Sequence, residues 1–193
     1  MKGLIVKITQ ILMYPFWHFV SKYFYKSNVI NKIRFKKNEN YIFVPNHPNK
    51  LDPFIIFYSL PFWELKKILP MRFMTAKKYM DTPIKKLFME LMGCYEIQEN
   101  VLKSSIKLLK KNNLCVFIQG KIDKDFKPPV KVGAVYIHKK SEKSYLVPIN
   151  ISYAKNLNVE IIFIDKIQYK DFERDLQPLA NNLLEIIKNE TKK

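Results

Sequence analysis

The chain has 193 residues, enough for one domain of ordinary size, and 48% of them are hydrophobic, which excludes a disordered tail. Only four glycines are present and neither GxxxxGK[ST] nor GxGxxG occurs, which argues against a phosphate-cradling nucleotide loop. With 34 basic and 17 acidic residues the net charge is +17, so an anionic partner is expected, either a nucleic acid or an anionic membrane face.

The N-terminal stretch is rich in aliphatic and aromatic residues. From Ile8 to Ser21 there are 14 residues without Lys, Arg, Asp or Glu, with Pro15 set to kink them. A spanning helix needs about 20 apolar residues, so crossing a bilayer is not expected. No small-residue cleavage site follows that would mark a signal peptide. Residues 1–30 therefore read as an interfacial helix or bent helix pair, with Trp17 and tyrosines at headgroup depth and lysines reaching phosphates. The alternative is a core helix of a soluble domain.

Beyond it, in 31–193, short apolar runs alternate with amphipathic stretches. Strands are expected at 41–44, 72–75, 94–97, 114–118, 145–151 and 159–164, and helices at 53–60, 83–92, 101–110, 132–139 and 176–188. Pro53 and Pro83 suit first helical turns, where the amide they lack has no partner. This alternation predicts an α/β fold with a mostly parallel or mixed central sheet flanked by helices. Cys94 and Cys115 sit in apolar surroundings without a CxxC spacing, so buried free thiols are expected rather than a disulfide or a zinc site.

The chemistry concentrates in Asn46-His47-Pro48-Asn49-Lys50-Leu51-Asp52. On one continuous helix His47 and Asp52 would lie on different faces. They meet only if His47 lies in a turn after a strand and Asp52 at a helix start, and Asn46, Pro48 and Asn49 favour such a turn. An imidazole so placed can take the proton of a substrate hydroxyl, while a carboxylate on its other nitrogen fixes the tautomer. Asp52-Pro53 also reads as an ordinary helix N-terminus. His18 reads as a packing or interfacial residue and His138 as a helix-end cation.

This block resembles the first motif of the glycerolipid acyltransferases, the family of 1-acylglycerol-3-phosphate acyltransferase. Further blocks follow in that family's order: Ala76-Lys77-Lys78 with Pro83 and Gly93, Phe117-Ile118-Gln119-Gly120-Lys121, Lys131-Val132-Gly133-Ala134, and Val147-Pro148-Ile149. The resemblance runs over about residues 40 to 152. It implies acyl transfer from acyl-CoA or acyl carrier protein, as cosubstrate rather than bound cofactor, to a lysophospholipid hydroxyl, with no metal. It implies an acyltransferase domain over 31–193, on the cytoplasmic face of a membrane with an anionic surface. By the same resemblance His47 is the base and Asp52 its partner. Asn46, Lys77, Gln119, Gly120 and Lys121 line the substrate site, and an amide near Gly120 faces the oxyanion.

The third block departs from Phe-Pro-Glu-Gly-Thr-Arg: Gln119 replaces Glu, Lys121 replaces Thr and Ile122 replaces Arg. A guanidinium grips phosphate bidentately, whereas an ammonium is a point charge. Either Lys121, Lys77 and Arg72 take over that role, or the acceptor is a glycolipid or lipoamino acid without phosphate there. A third expectation is a non-catalytic basic protein that binds membrane or RNA. No RRM-like aromatic motif supports a nucleic-acid partner.

Overall fold

The computed structural model describes residues 3–123, 128, 130–141, 143–154, 158–172 and 174–190; Met1 and Lys2 of the expected interfacial segment lie outside them. In chain order α1 (Gly3–Leu12), α2 (Tyr14–Phe19) and a π-helical turn (Val20–Phe24) lead to β1 (Asn28–Asn31) and β2 (Asn40–Pro45). Next come α3 (Asp52–Tyr58), α4 (Phe62–Ile68), β3 (Met71–Thr75), a 3₁₀ turn (Lys77–Tyr79), α5 (Pro83–Leu91) and β4 (Cys94–Glu96). The chain continues through α6 (Val101–Leu109), β5 (Asn113–Cys115), α7 (Gly133–Ser141), β6 (Ser144–Tyr153), β7 (Val159–Phe163) and α8 (Gln177–Asn189).

The strands form one seven-stranded sheet in the order β1-β7-β6-β2-β5-β3-β4. Every neighbouring pair is parallel except β6 with β7. A parallel sheet must be covered on both faces, and the strand sequences show it. Tyr41 and Phe43 of β2 enter one core cluster with α3 and α4, while Ile42 and Val44 enter the other with α7 and α8. The same two-residue period runs along β6: Val147, Ile149 and Ile151 face the α3 side and Leu146 the other.

Two elements were not expected from the sequence. β1 is a polar, largely exposed edge strand, and α4 follows an extended Pro61. The strand expected over 114–118 ends at Cys115, although the Val116 and Ile118 amides still donate to the Phe43 and Pro45 carbonyls.

The N-terminal helices dock with one face and expose the other. Val6 and Gln10 of α1 are buried. The Gln10 side-chain amide donates to the Met71 and Met92 carbonyls at 2.9 Å each and accepts the Met71 amide at 3.0 Å. Gly93 makes this approach fit: its φ is +99°, and a Cβ there would stand 2.3 Å from the Met71 oxygen and 2.7 Å from Gln10 Nε2. Trp17 of α2 stacks on Phe54 of α3 at 4.6 Å. On the opposite side Leu4, Ile8, Leu12, Phe16 and Phe19 are exposed. No described helix is long and apolar enough to cross a membrane.

Candidate active site

β2, β5 and β3 are adjacent and parallel, so the segments that follow them leave the same edge of the sheet. In open α/β sheets, ligands bind outside the carboxyl ends of the strands. β2 delivers Asn46 and His47 there, β5 leads into Phe117 to Asp123, and β3 leads into Lys77.

Asp52 opens α3, with Pro53 beside it in the first turn. Its carboxylate does not cap that helix: Oδ2 accepts the Asn49 amide at 2.8 Å and faces His47 Nδ1 at 2.9 Å. The turn between strand and helix thus folds back on the helix start, and the pair expected from the sequence comes together. Asp52 is fully buried and the His47 side chain is 16% exposed. A buried carboxylate beside Nδ1 places the imidazole proton on that nitrogen and leaves Nε2 as the basic atom. Nε2 has no partner among the described residues. The imidazole stacks on Phe117 with centroids 3.9 Å apart, which holds its plane.

Gln119 ties the two loops together. Its Oε1 accepts the His47 amide at 2.8 Å and its Nε2 donates to the Asp123 carbonyl at 3.0 Å, while the Asp123 amide donates to the His47 carbonyl at 2.9 Å. The residue must donate and accept at once, which an ionised Glu cannot do. Gln119 is therefore a clamp on the His47 backbone. Asn46 is likewise a strut. It is fully buried, and its side-chain amide both donates to and accepts from the Ile151 backbone at 2.8 and 2.7 Å, extending the β2–β6 ladder by one side chain.

Gly120 lies in the left-handed region at φ +67°, and its amide closes a turn on the Phe117 carbonyl at 3.1 Å. That amide is engaged, so the resemblance's oxyanion donor is not the Gly120 N–H in this conformation. Lys77 and Lys121 are both exposed. Arg72 is a correction: it is 4% exposed within β3, its Nε donating to Asn112 Oδ1 at 3.1 Å, because its position in the sheet points it into the protein. It is not a surface cation for a phosphate.

Tyr153, at the end of β6, donates its hydroxyl to Asp52 Oδ1 at 2.5 Å. Burial, then the charge of Asp52, holds its phenol far above the usual tyrosine range. Burial first, and Asp52 second, also raises the Cys115 thiol, whereas burial alone dominates at Cys94, pushed up to about 11. Both cysteines are free and buried, as expected. Sequence reasoning did not single out Tyr153, although the alternation Val147, Ile149, Ile151 carries it to the α3 face.

The remaining histidines are structural. His18 Nδ1 bonds the Tyr58 carbonyl at 2.7 Å and its ring stacks on Tyr14. His138 is not the helix-end cation expected: burial lowers its pKa, and its Nε2 accepts the Tyr169 amide at 3.1 Å, which leaves the proton on Nδ1 facing Ser144 Oγ at 3.0 Å. Among the described residues no group of three or more His, Cys, Asp and Glu side chains is placed to hold a metal ion.

No curated protein matches the sequence. The crystal structure of the 1-acyl-sn-glycerophosphate (LPA) acyltransferase PlsC from Thermotoga maritima superposes with a TM-score of 0.66. It shares 16% identity, over 98% of this chain and 95% of that one, so the likeness is one of fold. The model of the Acyltransferase family matches residues 26–152, well over half of the chain and inclusive of His47, Asp52 and the Gln119 loop. The chain belongs to the Acyltransferase family.

Proposed function

We propose that the protein moves a fatty acyl group from an acyl-CoA or acyl-carrier-protein thioester to the free hydroxyl of a lysophospholipid, in phospholipid synthesis at a membrane surface. The observation that carries this reading is the His47–Asp52 pair at 2.9 Å, with Nε2 unpartnered among the described residues. The acceptor hydroxyl gives its proton to Nε2 while its oxygen attacks the thioester carbonyl carbon. The carbonyl π electrons move to oxygen, and the oxyanion then reforms the C=O bond and expels the thiolate. The imidazolium returns the proton to the sulfur, so ester and free thiol are the products. Asp52 stabilises the imidazolium between these steps without taking its proton.

The exposed apolar stripe of α1, together with Trp63 on α4 and Ile84 and Phe88 on α5, suits peripheral attachment rather than a span. A net charge of +17 favours an anionic leaflet, and a soluble thioester donor suits a site on the cytoplasmic side.

The altered third block favours a second reading. Without the block's arginine, and with Arg72 buried, the exposed cations in these motifs are all lysines, Lys50, Lys77, Lys78, Lys121 and Lys131, a weaker grip on phosphate than a guanidinium and one that also suits a neutral lipid acceptor. The test incubates purified protein with labelled acyl-CoA or acyl carrier protein and a panel of lysophospholipids, glycolipids and lipoamino acids, and identifies products by mass spectrometry. Acylated lysophospholipid is the expected product. Acylation of only the phosphate-free lipids would select the second reading, and no acylated lipid from any donor would overturn both.

A further inference from the structure

An ionised carboxylate shielded from water is stable only when donors meet its oxygens. Among the described residues, Asp52 is met by three. His47 Nδ1 and the Asn49 amide share Oδ2, and Tyr153 has Oδ1 to itself. The Tyr153 contact, at 2.5 Å, is the shortest of them and lies in the range of charge-assisted O–H···O⁻ bonds. The tyrosine comes from a strand 101 residues away, and its ring is braced edge-on against Tyr25. It also lies one residue beyond the segment 26–152 that matches the family.

We infer that Tyr153 is a positioning residue of the acyl-transfer site: its hydroxyl fixes the plane of the Asp52 carboxylate, reserves Oδ2 for His47, and draws charge from the carboxylate so that it sets the basicity of His47. The donor on Oδ1 prevents the carboxylate from turning that oxygen toward the imidazole. It also competes with the imidazolium for the same negative charge. Two further titratable groups face this cluster, Tyr25 against the Tyr153 ring and Cys115 of β5 beside Asp52, while Lys50 and Asp123 belong to the two loops that carry and hold the His47 backbone. Replacing Tyr153 leaves all of them in place.

The inference rests on the acyl-transfer reading for its kinetics, but its first readout does not. In the full chain, the imidazole of His47 is titrated by nitrogen-detected NMR in the wild type and in Tyr153→Phe, which keeps the ring and removes one oxygen. With its competitor gone, Asp52 holds the imidazolium more firmly, and the His47 midpoint rises by about half a unit to one unit. The acid limb of kcat/KM moves with it. Above about pH 8.5 kcat/KM shows only the loss from the unfixed carboxylate, while below the limb it falls about three- to tenfold further, and both KM values hold. Incorporating 3-fluorotyrosine at position 153 gives a stronger donor, shifts the midpoint the opposite way, and carries the test if Tyr153→Phe does not fold.

A tyrosine that only fills space would leave both titrations unmoved. An unshifted His47 midpoint in a folded variant, or shifts of the same sign in the two variants, overturns the inference. Shifted midpoints in a protein that transfers no acyl group from any thioester would instead overturn the acyl-transfer reading and leave the Tyr153–Asp52–His47 coupling standing.

Discussion

Asp52→Asn separates the charge of this residue from its shape. The side chain is fully buried and its two oxygens accept from His47, Asn49 and Tyr153. An amide fits the same space. With its oxygen in the Oδ2 position it still accepts from His47 Nδ1 and the Asn49 amide, and its NH₂ faces Tyr153, whose hydroxyl can rotate to accept. The opposite rotamer would set NH₂ against the Asn49 amide and is disfavoured. Three charge-assisted bonds become neutral ones while a desolvated charge is removed, so the net stability change should stay within about 1–2 kcal/mol. The imidazolium suffers more. Two unit charges about 4 Å apart interact by about 4 kcal/mol at an effective dielectric of about 20, and the 16% exposure of His47 reduces this somewhat. About 3–4 kcal/mol of lost transition-state stabilisation corresponds to a fall in kcat of roughly 10²–10³, with KM little changed. Steady-state kinetics with acyl thioester and lysophospholipid, beside a thermal melt, measure both quantities. A folded variant with kcat within about threefold of wild type would refute the role of the Asp52 charge; loss of the fold with wild-type kcat in the residual folded fraction would make Asp52 a structural helix start.

Three further outcomes follow from the same structure. Gly93→Ala should destabilise by about 3 kcal/mol or more, because its Cβ would strike the Met71 oxygen and Gln10 Nε2; a thermal melt unchanged from wild type would contradict that packing. Burial lowers the pKa of His138, so the unfolded chain binds the extra proton below the ordinary imidazole value of about 6.5. The ring's contribution is therefore complete above that pH and lost as pH falls, and in urea melts His138→Asn should flatten the decline in stability between about pH 7 and pH 5. Lys121→Ala should raise the KM of an anionic lysophospholipid about tenfold or more while sparing the donor's, from loss of a charge-assisted contact of about 1.5 kcal/mol or more; equal KM values would leave the phosphate ligand unassigned.

Where a feature depends on local pattern, the sequence shows it. β2 and β6 are visible as apolar runs, and the turn from Asn46 to Asp52 brings base and acid together because its Pro and Asn residues and its helix start lie within one short segment. Features that depend on tertiary registration are less legible. Arg72 reads as a free cation until its strand position buries it against Asn112. Asn46 and Gln119 read as groups for substrate, yet each meets a backbone that only the fold brings near. Nothing local in an apolar stretch shows what the polar Gln10 is for: its amide joins α1 to β3 and the end of α5. For the same reason, deleting the first 25 residues would uncover Met71 and Met92 rather than release a clean domain, and charge substitutions at Leu12 or Phe16 are the better probe of membrane attachment. Tyr153 was within reach, since the two-residue period of β6 assigns it to the α3 face, but nothing local links it to Asp52.

The central claim is that His47 Nε2 is the base of an acyl transfer, and its most direct test compares wild type with His47→Ala. Purified proteins receive radiolabelled acyl thioester and lysophospholipid in anionic vesicles, and label is followed into diacyl product, with circular dichroism confirming that both are folded. The account predicts product from the wild type and a rate lower by about 10³ from the variant, within the range expected for loss of a general base. Transfer at the wild-type rate by a folded His47→Ala protein would contradict it.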